Sequence, residues 1–349
     1  MLITPANLNV LFSSIETRFW QAFTLEQLMY TKLCTTYPVG SEQWISAWVP
    51  MTDKLREWSG SRIVRTPAPQ TYTVPIKLWE GTYGVDKYKV LDDQYGIYMP
   101  IVANLGKQTA KLPDYQLRDL LQNAGAWTGA FQNGTDGLTH FNTAHLIDFY
   151  DAGKGTYAND YTNGGVTVNS ILIGGGLNAN AFATVYEDMT RRKSESGEAQ
   201  EVVPDTLLIP PMLKLTADTI LQSQFMGLPV IGFQGTANFP TAGSPSAANS
   251  PLVGSTENVM KGWTDRLMWR DIGGSTSIGG GTYDNVWYLL DTSKPIRPFS
   301  WLQRSAAEFA FLISPTDPVV FNTHTYQYGV SVRGSAAWSL PFLSSRSGP

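Results

Sequence analysis

The stretch from residue 50 to 93 constrains this chain more than any other. It reads PMTDKLREWSGSRIVRTPAPQTYTVPIKLWEGTYGVDKYKVLDD. Between Gln70 and Trp79, the side chains of Tyr72, Val74, Ile76 and Leu78 fall on one side and those of Thr71, Thr73 and Lys77 on the other, the period-2 pattern of a strand. Ahead of it, Thr66-Pro67-Ala68-Pro69 breaks regular structure. The run from Arg56 through Glu57, Trp58 and Gly60 to Arg62 supplies charge, an aromatic ring and a turn. The spacing predicts a long two-stranded ribbon. A lone hairpin is marginal in water, and Trp58, Tyr72, Trp79 and Tyr83 are too much aromatic surface for a solvated loop. Such a ribbon needs something to lie on, and a neighbouring copy of the same chain is the natural support.

At 349 residues the chain can bury a substantial core, and its length suggests two or three subdomains. Charged residues make up 15% of it, against about 25% in ordinary soluble domains, and aromatics 12%, with 11 Trp. These values fit equally a surface largely covered by partners and a well-packed β-rich enzyme. No apolar run reaches membrane-spanning length, so no membrane partner is expected. The net charge is -4 and the longest basic block is Arg191-Arg192-Lys193, which argues against strong binding through phosphate neutralisation. Cys34 is the single cysteine; it excludes an internal disulfide and suits a reducing cytoplasm. The first residues lack a basic stretch before an apolar core and a small-residue cleavage site, so no signal peptide is expected. The sequon at Asn133 is then incidental.

Helical periodicity predicts helices over residues 5–29, 104–124 and 178–193, and Pro210-Pro211 opens another through Leu213, Ala217, Ile220 and Leu221. Residues 34–48 read as irregular. Residues 202–210 and 285–290 are apolar strand candidates, and residues 325–340 alternate like a terminal hairpin. Residues 125–176 read as short strands and long loops, and residues 235–255 as loop. The expected class is α+β.

Taken in order, several pieces resemble the major head (capsid) subunit of Mu-like tailed bacteriophages, and so the HK97-type capsid fold. They are KLREWSGSR (residues 54–62), LWEGTYGVDKYKVLDDQYGIYMP (78–100), LPDYQLRDLLQNAG (112–125), HFNTAH (140–145), LLIPPMLKLTADTIL (207–221), VWYLLD (286–291) and YGVSVRGSAAWSLPF (328–342). The resemblance implies an N-terminal arm over residues 1–49 and an extended loop over 50–93 lying across an adjacent subunit. It implies a peripheral domain with a spine helix over 94–135, an axial domain over 136–293, and closing strands of the peripheral domain over 294–349. Intersubunit contacts are expected at Arg56, Glu57, Trp58, Arg62, Tyr72, Trp79 and Glu80, and a buried spine-helix stripe at Leu117, Leu120 and Leu121.

The function so implied is a structural subunit of an icosahedral head, not an enzyme, built from hexamers and pentamers around double-stranded DNA held by weak, non-specific contact. Portal and scaffold proteins, with or without a decoration protein, would be its partners, and the host cytoplasm its place of assembly. Some relatives crosslink their extended loops through Lys and Asn. Lys54, Lys77, Lys87 and Lys89 are available here, but no marker of that chemistry accompanies them. Two other readings are a cellular nanocompartment shell of the encapsulin type and a β-rich hydrolase or carbohydrate-binding protein using the Trp/Tyr surface.

No cofactor or metal is expected. His140 and His145, with Asp148 close by, are five apart with no Glu between them, unlike the metalloprotease pattern, and structural contacts are expected of them. His324 is isolated. Gly174-Gly175-Gly176 and Gly279-Gly280-Gly281 lack the partners of a phosphate cradle and read as turns. Cys34 has no activating neighbour. Glu80, Asp86 and Asp92-Asp93 are expected to complement Arg56, Arg62 and Arg65 of a neighbouring ribbon instead of forming a cation or acid/base site.

Overall fold

The computed structural model describes residues 5–48, 57, 60, 70–92, 98–122, 136–148, 152–162, 166–168, 171–173, 176–227, 255–273, 283–314 and 317–348. The chain divides into two compact units. The first comprises Met1–Pro50, Glu57–His140 and Pro295–Leu340, and the second Met51–Arg56, Phe141–Lys294 and Pro341–Pro349.

The first unit is built on a four-stranded sheet in the spatial order Cys34–Pro38, Phe299–Leu312, Thr325–Trp338, Leu78–Asp86. Cys34–Pro38 runs parallel to Phe299–Leu312, and the other two neighbouring pairs are antiparallel. The two 14-residue strands form a long hairpin, from Phe299 opposite Trp338 to Leu312 opposite Gln327. Two register shifts, between Gln303 and Ser305 and between Ser305 and Glu308, accommodate extra residues as bulges. Tyr326, Tyr328 and Val330 alternate onto one face. There they pack with Val85, with Ile15 and Phe19 of the helix Pro5–Thr24, and with Val102 and Leu105 of the helix Tyr98–Ala110. The two helices pack closely because position 106 is glycine. A Cβ there would stand 2.5 Å from the Phe19 carbonyl oxygen.

The predicted helix over 104–124 is two helices, Tyr98–Ala110 and Leu112–Leu121, meeting at Lys111. Pro113 stands in the first turn of the second, where its missing N–H costs nothing. Leu117, Leu120 and Leu121 are all buried. The buried Asp114 carboxylate on this helix accepts hydrogen bonds from Met29 N at 3.0 Å and Tyr30 N at 2.8 Å. It thereby satisfies the N-terminal amides of the short helix Tyr30–Leu33, which has no cap of its own. Gln116 Oε1 similarly accepts from Ala336 N at 3.1 Å.

Three boundaries differ from the sequence reading. Residues 34–48, read as irregular and as part of an arm, hold a sheet strand, Cys34–Pro38, and a ribbon strand, Gln43–Trp48. The partner of Cys34–Pro38 lies more than 260 residues away, so no local pattern announced it. The ribbon itself pairs Gln43–Trp48 with Gln70–Pro75, from Gln43 opposite Pro75 to Trp48 opposite Gln70. Its first strand therefore precedes residue 50, and Leu78–Asp86 belongs to the sheet instead. Pro75 lacks an amide for the ladder and marks this change of partner. Third, residues 325–340, read as a hairpin in themselves, hold one long strand, Thr325–Trp338, whose hairpin partner is Phe299–Leu312.

The second unit holds a five-stranded sheet in the order Asp265–Met268, Thr206–Ile209, Trp287–Leu290, Ser344–Ser347, Asp160–Tyr161. Leu207 to Ile209 and Trp287 to Leu290 are fully buried, as continuous apolar strands usually are. The helix Ala179–Thr190 presents Phe182, Val185 and Met189 to the core. Its first turn is capped by Asn178 Oδ1, which accepts from Ala181 N at 2.9 Å. The final strand lies in residues 341–349, which belong to the second unit. Its sequence, Ser344-Ser345-Arg346-Ser347, is polar yet buried throughout.

Candidate functional site

The ribbon and its root hold the contact residues expected within the first unit. Among the described residues its two strands pair only with each other. Ile45 on the first strand is 63% exposed. On the second strand Val74 is fully buried and Ile76 just beyond it is buried, while Leu78, expected on the same side, is exposed. The root is an aromatic chain. Tyr37 stacks on Trp44 with centroids 5.7 Å apart, and Trp44 meets the edge of Tyr72 at 6.4 Å. The Tyr72 hydroxyl donates to the Trp338 carbonyl. Burial pushes this phenol well above its ordinary value, opposed in part by a hydrogen bond with Ser46.

Beyond the ribbon the chain bonds to Gly334 and Ser335 of the strand Thr325–Trp338. Ser335 Oγ donates to Pro75 O at 2.9 Å and accepts from Lys77 N at 3.2 Å. Gly334 N donates to Lys77 O at 3.1 Å, and Trp79 Nε1 donates to Gly334 O at 2.9 Å. The ladder with Leu78–Asp86 begins one residue away, at Arg333 opposite Leu78.

Of the expected contact residues, Tyr72 therefore sits at the ribbon root and Trp79 in the sheet, half-buried. Glu80 is also in the sheet, exposed, accepting from Thr82 Oγ1 at 2.7 Å. Glu57 is exposed. Arg56, Trp58 and Arg62 lie outside the described residues, as do Arg65 and Asp93. Glu80 lines a shallow groove of about 280 Å³ on the sheet face opposite the core, with Thr82, Glu308, Ala310, Leu312, Gly329 and Ser331. Gly334 and Ser335 were not singled out in the sequence. Nothing in the run GSAAW distinguishes them until their distant partners are known.

The other candidates resolve into structural roles. Asp86 caps the helix Lys87–Leu91, accepting from Tyr88 N at 2.8 Å and Lys89 N at 3.3 Å. It stands six residues from Glu80 along one extended strand, about 20 Å at ~3.4 Å per residue, so the two carboxylates do not form one site. His140, in the first unit, is buried and stacks on Trp338 with centroids 4.4 Å apart and planes at 10°. His145, in the second, is buried against Tyr157 at 5.3 Å, and Asp148 pairs with Lys154 at 2.6 Å. Among the described residues no group of His, Cys, Asp and Glu could hold a metal ion, and no helix is long and apolar enough to cross a membrane. Cys34 is buried. Burial, then Asp114, push its thiol up while Arg297 opposes them, so it is held protonated. His324 takes a left-handed conformation, φ 51°, ending the helix Pro318–Thr323. Gly176 accepts from Asn178 Nδ2 at 3.2 Å in a turn, and residues 279–281 lie outside the described residues.

Comparison with known proteins places this architecture. The major capsid protein of Escherichia phage Mu is 27% identical over 147 residues, which cover 42% of this chain and 47% of that protein. The Mu-like prophage FluMu major head subunit of Haemophilus influenzae is 24% identical over 146 residues, 42% of this chain and 46% of that protein. The matched stretch thus spans about half the length of each relative. Among solved structures, the procapsid of bacteriophage JBD30 superposes with a TM-score of 0.51 at 21% identity, over 99% of this chain and 76% of that one. The capsid of the same phage gives a TM-score of 0.53 at 18% identity, over 78% of this chain and 100% of that one. The fold is thus the α+β fold of HK97-like phage capsids. The family model for the Mu-like prophage major head subunit gpT matches residues 8–173 and 271–348, well over half of the sequence, and the chain belongs to that family.

Proposed function

We propose that this chain is the structural subunit of a tailed-phage head, assembling with copies of itself through hexamers and pentamers into an icosahedral shell around double-stranded DNA. Family membership sets aside the hydrolase and carbohydrate-binding readings, and no feature of the structure favours a cellular nanocompartment over a head. The observation that carries the assembly reading is the ribbon, Gln43–Trp48 paired with Gln70–Pro75, a two-stranded element that is marginal by itself and, among the described residues, pairs with no strand of the sheet. Copies in a shell supply the support it lacks. At about 25 cal/mol per Å² of apolar surface, each such docking contributes several kcal/mol, and a closed shell repeats it at every subunit.

On this reading the first unit is the peripheral domain, with Leu112–Leu121 in the spine helix, and the second unit is the axial domain. Arg56, Glu57, Trp58, Arg62, Tyr72, Trp79 and Glu80 lie at or near the contact between copies. Portal and scaffold proteins, with or without a decoration protein, complete assembly in the host cytoplasm. With a net charge of -4, the shell touches packaged DNA weakly and without sequence preference.

Deletion of residues 54–66 tests the reading. A folded, soluble subunit that no longer forms particles is expected. Particles of unchanged stability, measured by sedimentation against the full chain, would show that the segment takes no part in assembly.

A further inference from the structure

The β-ladder guides the ribbon away from the sheet only as far as one further in-register bond, from Gly334 N to Lys77 O. The ladder between Thr325–Trp338 and Leu78–Asp86 ends at Arg333 opposite Leu78, and the ribbon strands pair only with each other among the described residues. Between the two lie Ile76 and Lys77, a two-residue link on the outgoing side; on the incoming side residues 39–42 join Gln43–Trp48 to the sheet strand Cys34–Pro38. What holds the outgoing link is its bonding to residues 334–335 of the strand Thr325–Trp338. Ser335 is fully buried, and its single hydroxyl bridges both sides of the link, donating to Pro75 O at 2.9 Å and accepting from Lys77 N at 3.2 Å. Ser335 therefore clamps the last residue of the ribbon and the last residue of the link to one point of the sheet.

The neighbouring contacts leave this clamp little play. Gly334 N and O are engaged by Lys77 O at 3.1 Å and Trp79 Nε1 at 2.9 Å. A Cβ at Gly334 would stand 2.6 Å from Trp301 Cζ2 and 2.9 Å from Leu302 O, so the strand is pressed against its inner neighbour and cannot shift toward it. On the other flank, Ile76 N donates to Glu42 O at 2.8 Å, tying the link to the incoming ribbon strand. The Tyr72 hydroxyl on the Trp338 carbonyl adds a second anchor, three residues along the long strand from Ser335.

We infer that Ser335 is a positioning residue for assembly, whose hydroxyl fixes the angle between ribbon and sheet in the free subunit. The ribbon then arrives at a second copy already oriented, and docking does not carry the cost of ordering it. The consequence for the shell rests on the assembly reading above. The joint itself does not, and it can be measured on unassembled subunits.

The test places spin labels at Ile45→Cys on the ribbon and Leu312→Cys on the sheet, both exposed, with the buried Cys34 thiol left unlabelled. Dipolar spectroscopy on the subunit is expected to give a narrow distance distribution. In Ser335→Ala it should broaden or shift, the Lys77 amide should exchange about tenfold faster with solvent, as loss of a hydrogen bond near 1.4 kcal/mol implies, and the sheet should still melt cooperatively. Ser335→Thr, which keeps the hydroxyl, should restore the narrow distribution. Equal broadening in Ser335→Thr would assign the effect to packing and overturn the inference, as would an unchanged distribution in Ser335→Ala. Should Ser335→Ala not fold, Tyr72→Phe carries the same expectation through the second anchor, and an unchanged distribution there would count against it equally. If the angle loosens but particles still form normally, the joint stands and its role in assembly falls.

Discussion

Arg346 and Asp160 face each other across adjacent parallel strands of the second unit, and the guanidinium grips the carboxylate with two hydrogen bonds, one of them Nε to Oδ1 at 3.2 Å. Both side chains are largely buried, and the guanidinium carbon also lies 5.0 Å from the centre of the Phe141 ring. The pair explains how a strand reading Ser-Ser-Arg-Ser occupies the interior. Its hydroxyls are small, and its one charge has a matched partner. Arg192, at the end of the helix Ala179–Thr190, secures the same segment by donating to Phe342 O, Ser344 O and Ser345 Oγ.

Breaking that pair leaves an uncompensated buried charge. Arg346→Met is expected to destabilise the second unit by about 3–5 kcal/mol, read as a lower urea midpoint with an unchanged slope. Asp160→Asn alone should cost a similar amount, and the double variant clearly less than the sum of the two, because the pair is lost only once. Additive losses would mean that the two residues act separately.

Gly106→Ala tests the packing of the helix Pro5–Thr24 on Tyr98–Ala110. The added methyl meets the Phe19 carbonyl oxygen at 2.5 Å and the Ala22 Cβ at 3.3 Å, so the helices must separate. The overpacking should cost about 1–3 kcal/mol in the first unit, although alanine favours a helix over glycine by roughly 1 kcal/mol. An increase in thermal stability would contradict the close approach.

Asp119 supplies a pH dependence. Burial holds its carboxyl above the ordinary carboxylate value, and Arg118, with Nη2 at 3.1 Å, opposes this only in part. The folded chain therefore binds this proton more tightly than the unfolded chain does. The group's contribution is most favourable below the ordinary carboxylate value and falls as pH rises through the raised one. Asp119→Asn should be more stable than the parent at neutral pH, with the difference closing as pH falls through the carboxylate range in denaturation series. A variant less stable at every pH would show that the carboxylate is a net stabiliser.

What was legible in the sequence follows from where each partner lies. The helices beginning near Pro5 and Ala179 and the buried runs Thr206–Ile209 and Trp287–Leu290 carry their periodicity within themselves, and each was read from it. Phe299–Leu312 carries no continuous strand signal, because bulges on either side of Ser305 break the alternation that Ala307, Phe309 and Phe311 would otherwise display. Ser344–Ser347 carries no apolar signal at all. Its burial depends on Asp160, far away in sequence. At the ribbon, Tyr72 was recognisable as an aromatic residue on a strand. Ser335 was not, because its importance lies in two backbone groups some 260 residues away.

The central claim is that copies of this chain close into a shell. Sedimentation of the purified full chain, with the fractions imaged by electron microscopy, tests it most directly. Large, uniform, closed particles are expected, lost on deletion of residues 54–66. A monodisperse monomer across the whole accessible concentration range would contradict it.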